Sequence, residues 1–528
     1  MKRRFFLLIA LCQAFSSFSQ SDIDILHYKF QVNLNDRNDT IYGTAEITLK
    51  FLHPVSSFVL DLVGTNSRGK GMRVDSVFNT SHKALEFMQQ NEKIKIILSK
   101  VAKTNDSDRF TISYRGIPSD GLIISKNKYG DRTFFADNWP NRAHNWIPCK
   151  DEPNDKATFE FIVTAPSHYE VVSNGALIEK KELLENKKLT HWKEDVSLPT
   201  KVMVIGVSKF AVKQFADSPP NIPVSAWVYP QDSVSGFRNY SSAPDILKFY
   251  SDYVGPYPYN KLANVQSKTE FGGMENASAI FYNEASAEQN NTVEDLLAHE
   301  IAHQWFGDMA TEKKFSHLWL SEGFATYLTD IYLESRYGTA HMNKLLKEDR
   351  NKVIDFMRFS SRPVVDSISS FVKLLSPNSY ERGGWVLHML RRQLRDSAFQ
   401  TLIRRYYDRY KGTNADTDDF RQMAEEVSGK NLMQFFKQWL YSPFIPELQI
   451  QAKYEKESGE LLLTVTQLQK EIFQFPLEFQ FSSAPEGTKT VSVQVTKKTE
   501  TFKFKVAQRL LDFIVDPNTS LLFKEVKK

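Results

Sequence analysis

The chain has 528 residues, more than one hydrophobic core usually serves, so two to four domains are expected. Its composition, 41% hydrophobic and 25% charged, is that of a soluble globular protein and excludes a disordered or fibrous chain. The formal net charge is +4, but removing Lys2, Arg3 and Arg4 from the 67 basic residues leaves 64 against 63 acidic ones, a balance that implies no nucleic acid or other polyanionic partner.

Those three residues open a secretory pattern. A charged start, the short apolar run from Phe5 to Phe15 and the small residues around Ser17-Phe18-Ser19 predict a leader over residues 1–19, cleaved ahead of Gln20. An uncleaved anchor is the alternative. The expected location is therefore secreted or periplasmic. No later stretch is long and apolar enough to span a bilayer. Beyond the leader only Cys149 remains, which excludes an internal disulfide; it sits between Pro148 and Lys150 with no motif around it and is expected to be buried and structural.

Residues 20–212 alternate apolar and polar positions, as in Tyr28-Lys-Phe-Gln-Val-Asn-Leu-Asn and Thr44-Ala-Glu-Ile-Thr-Leu-Lys-Phe, with turn clusters such as Asn35-Asp-Arg-Asn-Asp between the runs. This is an all-β domain. From 213 to 443 helical periodicity takes over, with helices expected at 243–254, 292–307, 321–337, 340–357, 380–396, 398–410, 417–427 and 431–441, and strand and loop at 262–283. Residues 444–528 return to alternation and suggest a small β-sandwich. The fold class is multidomain α+β.

The chemistry concentrates around His299-Glu300-Ile301-Ala302-His303. Positions i and i+4 share one face of a helix, so both imidazoles can reach one metal ion, with Glu300 beside them as general base for a water. Thr292 is the expected N-cap, with Asp295 completing an acidic capping box. Hydrolytic zinc takes three protein ligands and leaves one position open. Eighteen residues past His303 stands Glu322, in Ser-Glu-Gly-Phe-Ala, opening the next expected helix; a reversal over 311–317 would bring it to the two histidines. Upstream, Gly272-Gly273-Met274-Glu275-Asn276 combines two glycines, which let a peptide backbone approach closely, with a carboxylate able to bind a substrate's α-amine.

Taken together these segments resemble the M1 family of zinc aminopeptidases (gluzincins). Tyr380-Glu-Arg-Gly-Gly-Trp-Val-Leu-His-Met-Leu is similar to that family's tyrosine helix, and Arg142-Ala-His-Asn-Trp-Ile-Pro-Cys-Lys-Asp-Glu-Pro to a segment of its N-terminal domain. The similarity covers residues 25–445 or so. It implies a thermolysin-like catalytic domain holding one Zn²⁺ per chain on His299, His303 and Glu322. The ion would polarise the scissile carbonyl and acidify a bound water, and Glu300 would take the proton and pass it to the leaving amine. Tyr380 would stabilise the oxyanion, Glu275 would anchor the free N-terminus, and Gly272, Gly273 and Met274 would border the peptide substrate.

Three departures accompany the resemblance. Where the family usually has Gln or Glu five residues before Arg142, as a second amine-binding group, this chain has the shorter Asp137. His317 stands where Asp is frequent. The sequence stops after the small β-domain, whereas larger members continue into a helical domain, so a more open cleft is expected. Two other functions fit part of the pattern: a thermolysin-like zinc endopeptidase, and a catalytically silent binding protein.

Overall fold

The computed structural model describes residues 21–483, 487–506 and 510–527; the expected leader at 1–19 lies outside them. Residues 21–210 form the β-region that alternation predicts. Its main sheet has seven strands in the order Ala176–Leu183, Lys187–Leu198, Ala157–Pro166, Ile23–Asn33, Ile41–Phe51, Ser107–Ile117 and Gly71–Asn79. Neighbours run antiparallel except Ile23–Asn33 against Ala157–Pro166, which is parallel. Every second residue of Ile41–Phe51 is buried, the period-2 pattern of a strand with one face on a core. Cys149 is free and buried in that core.

A five-stranded mixed sheet follows, ordered Ala211–Gln214, Val224–Val228, Leu262–Ser267, Ala279–Asn283 and Gly273–Met274. Ala211–Gln214 spans the expected boundary at 212/213 and pairs into this second sheet. Its far edge is the two-residue strand Gly273–Met274, antiparallel to Ala279–Asn283. An edge strand leaves one row of backbone N–H and C=O groups without a sheet neighbour, the opening used when an extended peptide adds to a sheet.

Glu294–His303 packs against the edge strand, and Trp319–Tyr337, Thr339–Met357, Gly383–Leu394, Asp396–Tyr410 and Thr417–Ser428 build outward from it, each on a neighbouring helix. Three local expectations change. The helix at 294 has Val293, not Thr292, as its N-cap, and no side chain caps it. The segment expected as one helix from 380 starts with a π-turn, Asn378–Arg382, and the last helix ends in another, Lys437–Tyr441. Residues 447–527 form two facing sheets, of four and three strands, whose inner residues Leu461, Leu463, Val465, Leu477 and Phe479 are buried. The strand Leu510–Val515 joins the three-stranded sheet in addition to those expected.

Two lysines, Lys201 buried and Lys156 half-buried, tie the N-terminal region to the helical one. Lys201 Nζ meets Glu312 at 2.6 Å, and Lys156 Nζ donates to the carbonyls of Asp308, Met309 and Thr413. Both clamp the turn between Glu294–His303 and Trp319–Tyr337. Among the described residues no helix is long and apolar enough to cross a membrane.

Candidate active site

The helix Glu294–His303 presents His299 and His303 one turn apart, and the next helix returns Glu322 to them. His299 Nε2 and His303 Nε2 lie 3.1 Å apart, and Glu322 Oε2 lies 3.4 Å and 3.2 Å from them. A tetrahedral ion with bonds of about 2.0–2.1 Å requires donor–donor edges of roughly 3.3 Å, so the three atoms already form one face of a zinc coordination shell. His303 Nδ1 faces the carbonyl of Phe306 at 3.1 Å and Ser321 Oγ at 3.0 Å. A carbonyl only accepts, so Nδ1 holds the proton and Nε2 offers its lone pair outward.

The charges also fit a dication. Glu275, Glu300 and Glu322 are all buried around the two imidazoles. Burial lifts the carboxyl of Glu300 well above the usual carboxylate range; Glu275 and Glu322 add to this and His303 opposes it. Glu275 is raised for the same reasons, with Lys201 also opposing. Burial disfavours a charged His303, yet Glu322, Glu275 and Glu300 outweigh it and push its pKa up to about 10. Burial likewise works against an ionised Glu322, but the two imidazoles hold its carboxyl well below the ordinary range. The pocket is short of positive charge, and His299, His303 and Glu322 are the residues able to hold it as a metal.

The remaining groups arrive through close backbone approaches. A side chain on Gly323 would come within 2.9 Å of the Gly383 backbone, so helices Trp319–Tyr337 and Gly383–Leu394 cross in direct contact there. This contact carries the π-turn, and with it Tyr380, up to the metal ligands; its ring stacks on His299 with centroids 6.0 Å apart. The turn is fastened by buried Arg382, which donates to the carbonyls of Trp439, Ser442 and Phe444. Burial, followed by Glu322, Glu275 and Glu300, keeps the Tyr380 phenol far above its ordinary pKa, so it retains the proton it would donate.

On the opposite wall, Gln304 joins the metal helix to the loop bearing Glu275. Its amide donates to the Glu275 carbonyl at 2.8 Å and to Asp308 Oδ2 at 3.0 Å, and its oxygen accepts from the Ser278 N–H at 2.7 Å. The resulting cavity of about 260 Å³ is lined by Gly272, Gly273, Met274, Glu275, His299, Glu300, His303, Glu322 and Tyr380, together with Trp139, Phe271, Leu296 and Leu375. All the site residues expected from sequence are in that lining except Asp137.

Asp137 lies outside that lining. It is buried, bonded through Oδ1 to the guanidinium of Arg142, and accepts a long 3.4 Å bond from Thr269 through Oδ2. Burial raises its carboxyl and Arg142 draws it back down. The shorter side chain pairs with Arg142. His317 also lies apart from the ligands: its Nδ1 meets Thr417 Oγ1 at 2.9 Å, bracing the start of helix Thr417–Ser428. Sequence reasoning missed Gln304, Ser321 and the apolar lining. The adjacency of Gln304 and Ser321 to His303 and Glu322 was the only signal for them.

A metal-binding face on two consecutive helices, an acid beside it and a sheet edge along one wall define a metallopeptidase of the H-E-x-x-H class. Residues 238–439 match the peptidase family M1 domain and residues 25–202 the peptidase M1 N-terminal domain; the chain belongs to peptidase family M1. It is 26% identical over 456 residues to probable aminopeptidase 2 of Sulfurisphaera tokodaii, covering 82% of this chain and 55% of that protein. It is 29% identical over 382 residues to glutamyl aminopeptidase of Rattus norvegicus, covering 67% of this chain and 40% of that one. The chain thus spans about half the length of these relatives. The crystal structure of an M1 zinc metallopeptidase from Deinococcus radiodurans shares the fold, with TM-score 0.69 and 23% identity over 81% of this chain and 95% of that one.

Proposed function

We propose that the chain is a zinc-dependent aminopeptidase that hydrolyses N-terminal residues from peptides, with one Zn²⁺ per chain on His299, His303 and Glu322. The observation that carries this reading is Glu275, a buried carboxylate in the same cavity as those three ligands. A free α-ammonium is the group it would bind, and its nearness to the metal ligands limits the cut to the end of the peptide. The relatives named as aminopeptidases support this reading, as does a Deinococcus radiodurans metallopeptidase solved with a Tyr-Ser-Ala substrate.

Zinc, when bound, supplies a Lewis acid that polarises the scissile carbonyl and favours ionisation of water. Glu300 takes the proton of the attacking water and delivers it to the departing amine nitrogen. Tyr380 donates its O–H to the developing oxyanion, an interaction strongest in the transition state. The edge strand Gly273–Met274 aligns the substrate backbone, and Glu275 fixes its amine. The charged and apolar pattern of residues 2–19 supports export of the chain to a secreted or periplasmic location.

Metal dependence is the direct test. Chelation should abolish cleavage of a free-amine peptide, and one equivalent of Zn²⁺ per chain should restore it. Undiminished cleavage by protein shown to be metal-free would remove zinc from the reaction.

A further inference from the structure

The side chain of the substrate's first residue must fit beside the groups that bind its amine and carbonyl. The apolar part of the cavity lining is Trp139, Phe271, Met274, Leu296 and Leu375. They come from four segments of the chain, and none of the five residues carries a charge. Leu296 sits one turn before His299 on the metal helix, so it flanks the ligands on the same face. Phe271 precedes the edge strand and Met274 ends it.

The aromatic part of this wall is held in place. Trp139 meets Phe271 edge-on with centroids 6.1 Å apart, and meets Phe315 in the same manner at 6.1 Å. Phe315 in turn packs on Phe371 at 4.7 Å. This row of rings runs from the β-region through the turn after the metal helix to the short helix Phe371–Leu374 that precedes Leu375.

The ionisable groups on the lining are Glu275, Glu300, Glu322, His299, His303 and Tyr380; no lysine or arginine lines the cavity. The carboxyl groups of Glu275, Glu300 and Glu322 stand around the space left for the substrate. A carboxylate on the first side chain would be desolvated beside them, with no lysine or arginine in the lining to pair with. Burying such an unpaired charge is strongly unfavourable, whereas an apolar side chain gains from the same walls.

We infer that, granted the aminopeptidase reading, this cavity selects a neutral apolar N-terminal residue and rejects aspartate and glutamate. The wall of Trp139, Phe271, Met274, Leu296 and Leu375 determines that choice.

The test uses zinc-loaded protein and aminoacyl fluorogenic substrates bearing Leu, Met, Phe, Glu or Asp. The apolar three should exceed the acidic two in kcat/KM by on the order of 100-fold or more, the discrimination expected for an unpaired buried charge. Phe271→Arg places a guanidinium on the same wall and should shift the Leu-to-Glu ratio at least about tenfold toward Glu. Leu375→Lys does the same from the loop should the first variant not fold. Comparable turnover of Glu and Leu by the unmodified chain, or an unmoved ratio in a folded variant, overturns the inference while leaving the aminopeptidase reading intact. Turnover of none of the five overturns both.

Discussion

Gly273 and Glu300 share one space: a methyl group on Gly273 would stand 2.3 Å from Oε1 of Glu300. The second glycine of the Gly-Gly-Met-Glu-Asn segment therefore does more than admit a substrate backbone. It leaves the volume in which the general base lies. Gly273→Ala should displace the Glu300 carboxylate by about an ångström and lower kcat on the order of 100-fold, with zinc content unchanged. Wild-type turnover in that variant would mean that Glu300 reaches the water from elsewhere.

Gln304 acts through Glu275. Its hydrogen bonds to the Glu275 carbonyl and the Ser278 N–H set how far the amine anchor stands from the metal helix. Gln304→Ala should raise KM for free-amine peptides about tenfold, as expected for coupling energies of about 0.5–3 kcal/mol between neighbours. In a Glu275→Gln background the same change should add little to KM. Full additivity of the two substitutions would assign Gln304 a role independent of amine binding.

Tyr380 stacks on His299 and keeps its phenolic proton. Tyr380→Phe should lower kcat by about 10²–10³-fold with little change in KM, the range found when one oxyanion donor is lost. A fall confined to KM would make the hydroxyl a ground-state contact.

Asp137 predicts the opposite pattern. Because it is buried against Arg142, Asp137→Ala should cost on the order of 2 kcal/mol of stability, read as a lower thermal transition. KM for free-amine peptides should stay unchanged in the folded variant. A selective rise in KM would return Asp137 to the substrate site.

Local periodicity made most of this site legible before any coordinates. The i, i+4 histidines, the acid between them and the glycine-rich edge are properties of short segments, and their geometry follows from helix and strand spacing. Glu322 was legible from the reversal between two expected helices, whereas Tyr380 needed the resemblance to a family, because what unites it with the histidines is the Gly323–Gly383 helix contact, a tertiary feature. The pairing of Asp137 with the guanidinium five residues on was not legible, because it depends on Arg142 folding back onto it. Thr292 loses the N-cap to Val293 in spite of its propensity. The specificity wall was invisible, since Trp139, Phe271, Leu296 and Leu375 meet only after three regions of the chain have packed together.

The central claim is that Glu275 makes this metal centre an exopeptidase. It is tested most directly by offering zinc-loaded protein one apolar peptide in two forms, with a free N-terminus and with that terminus acetylated. Stepwise release of N-terminal residues from the first and no cleavage of the second is the predicted result; cleavage of both at similar rates would contradict it.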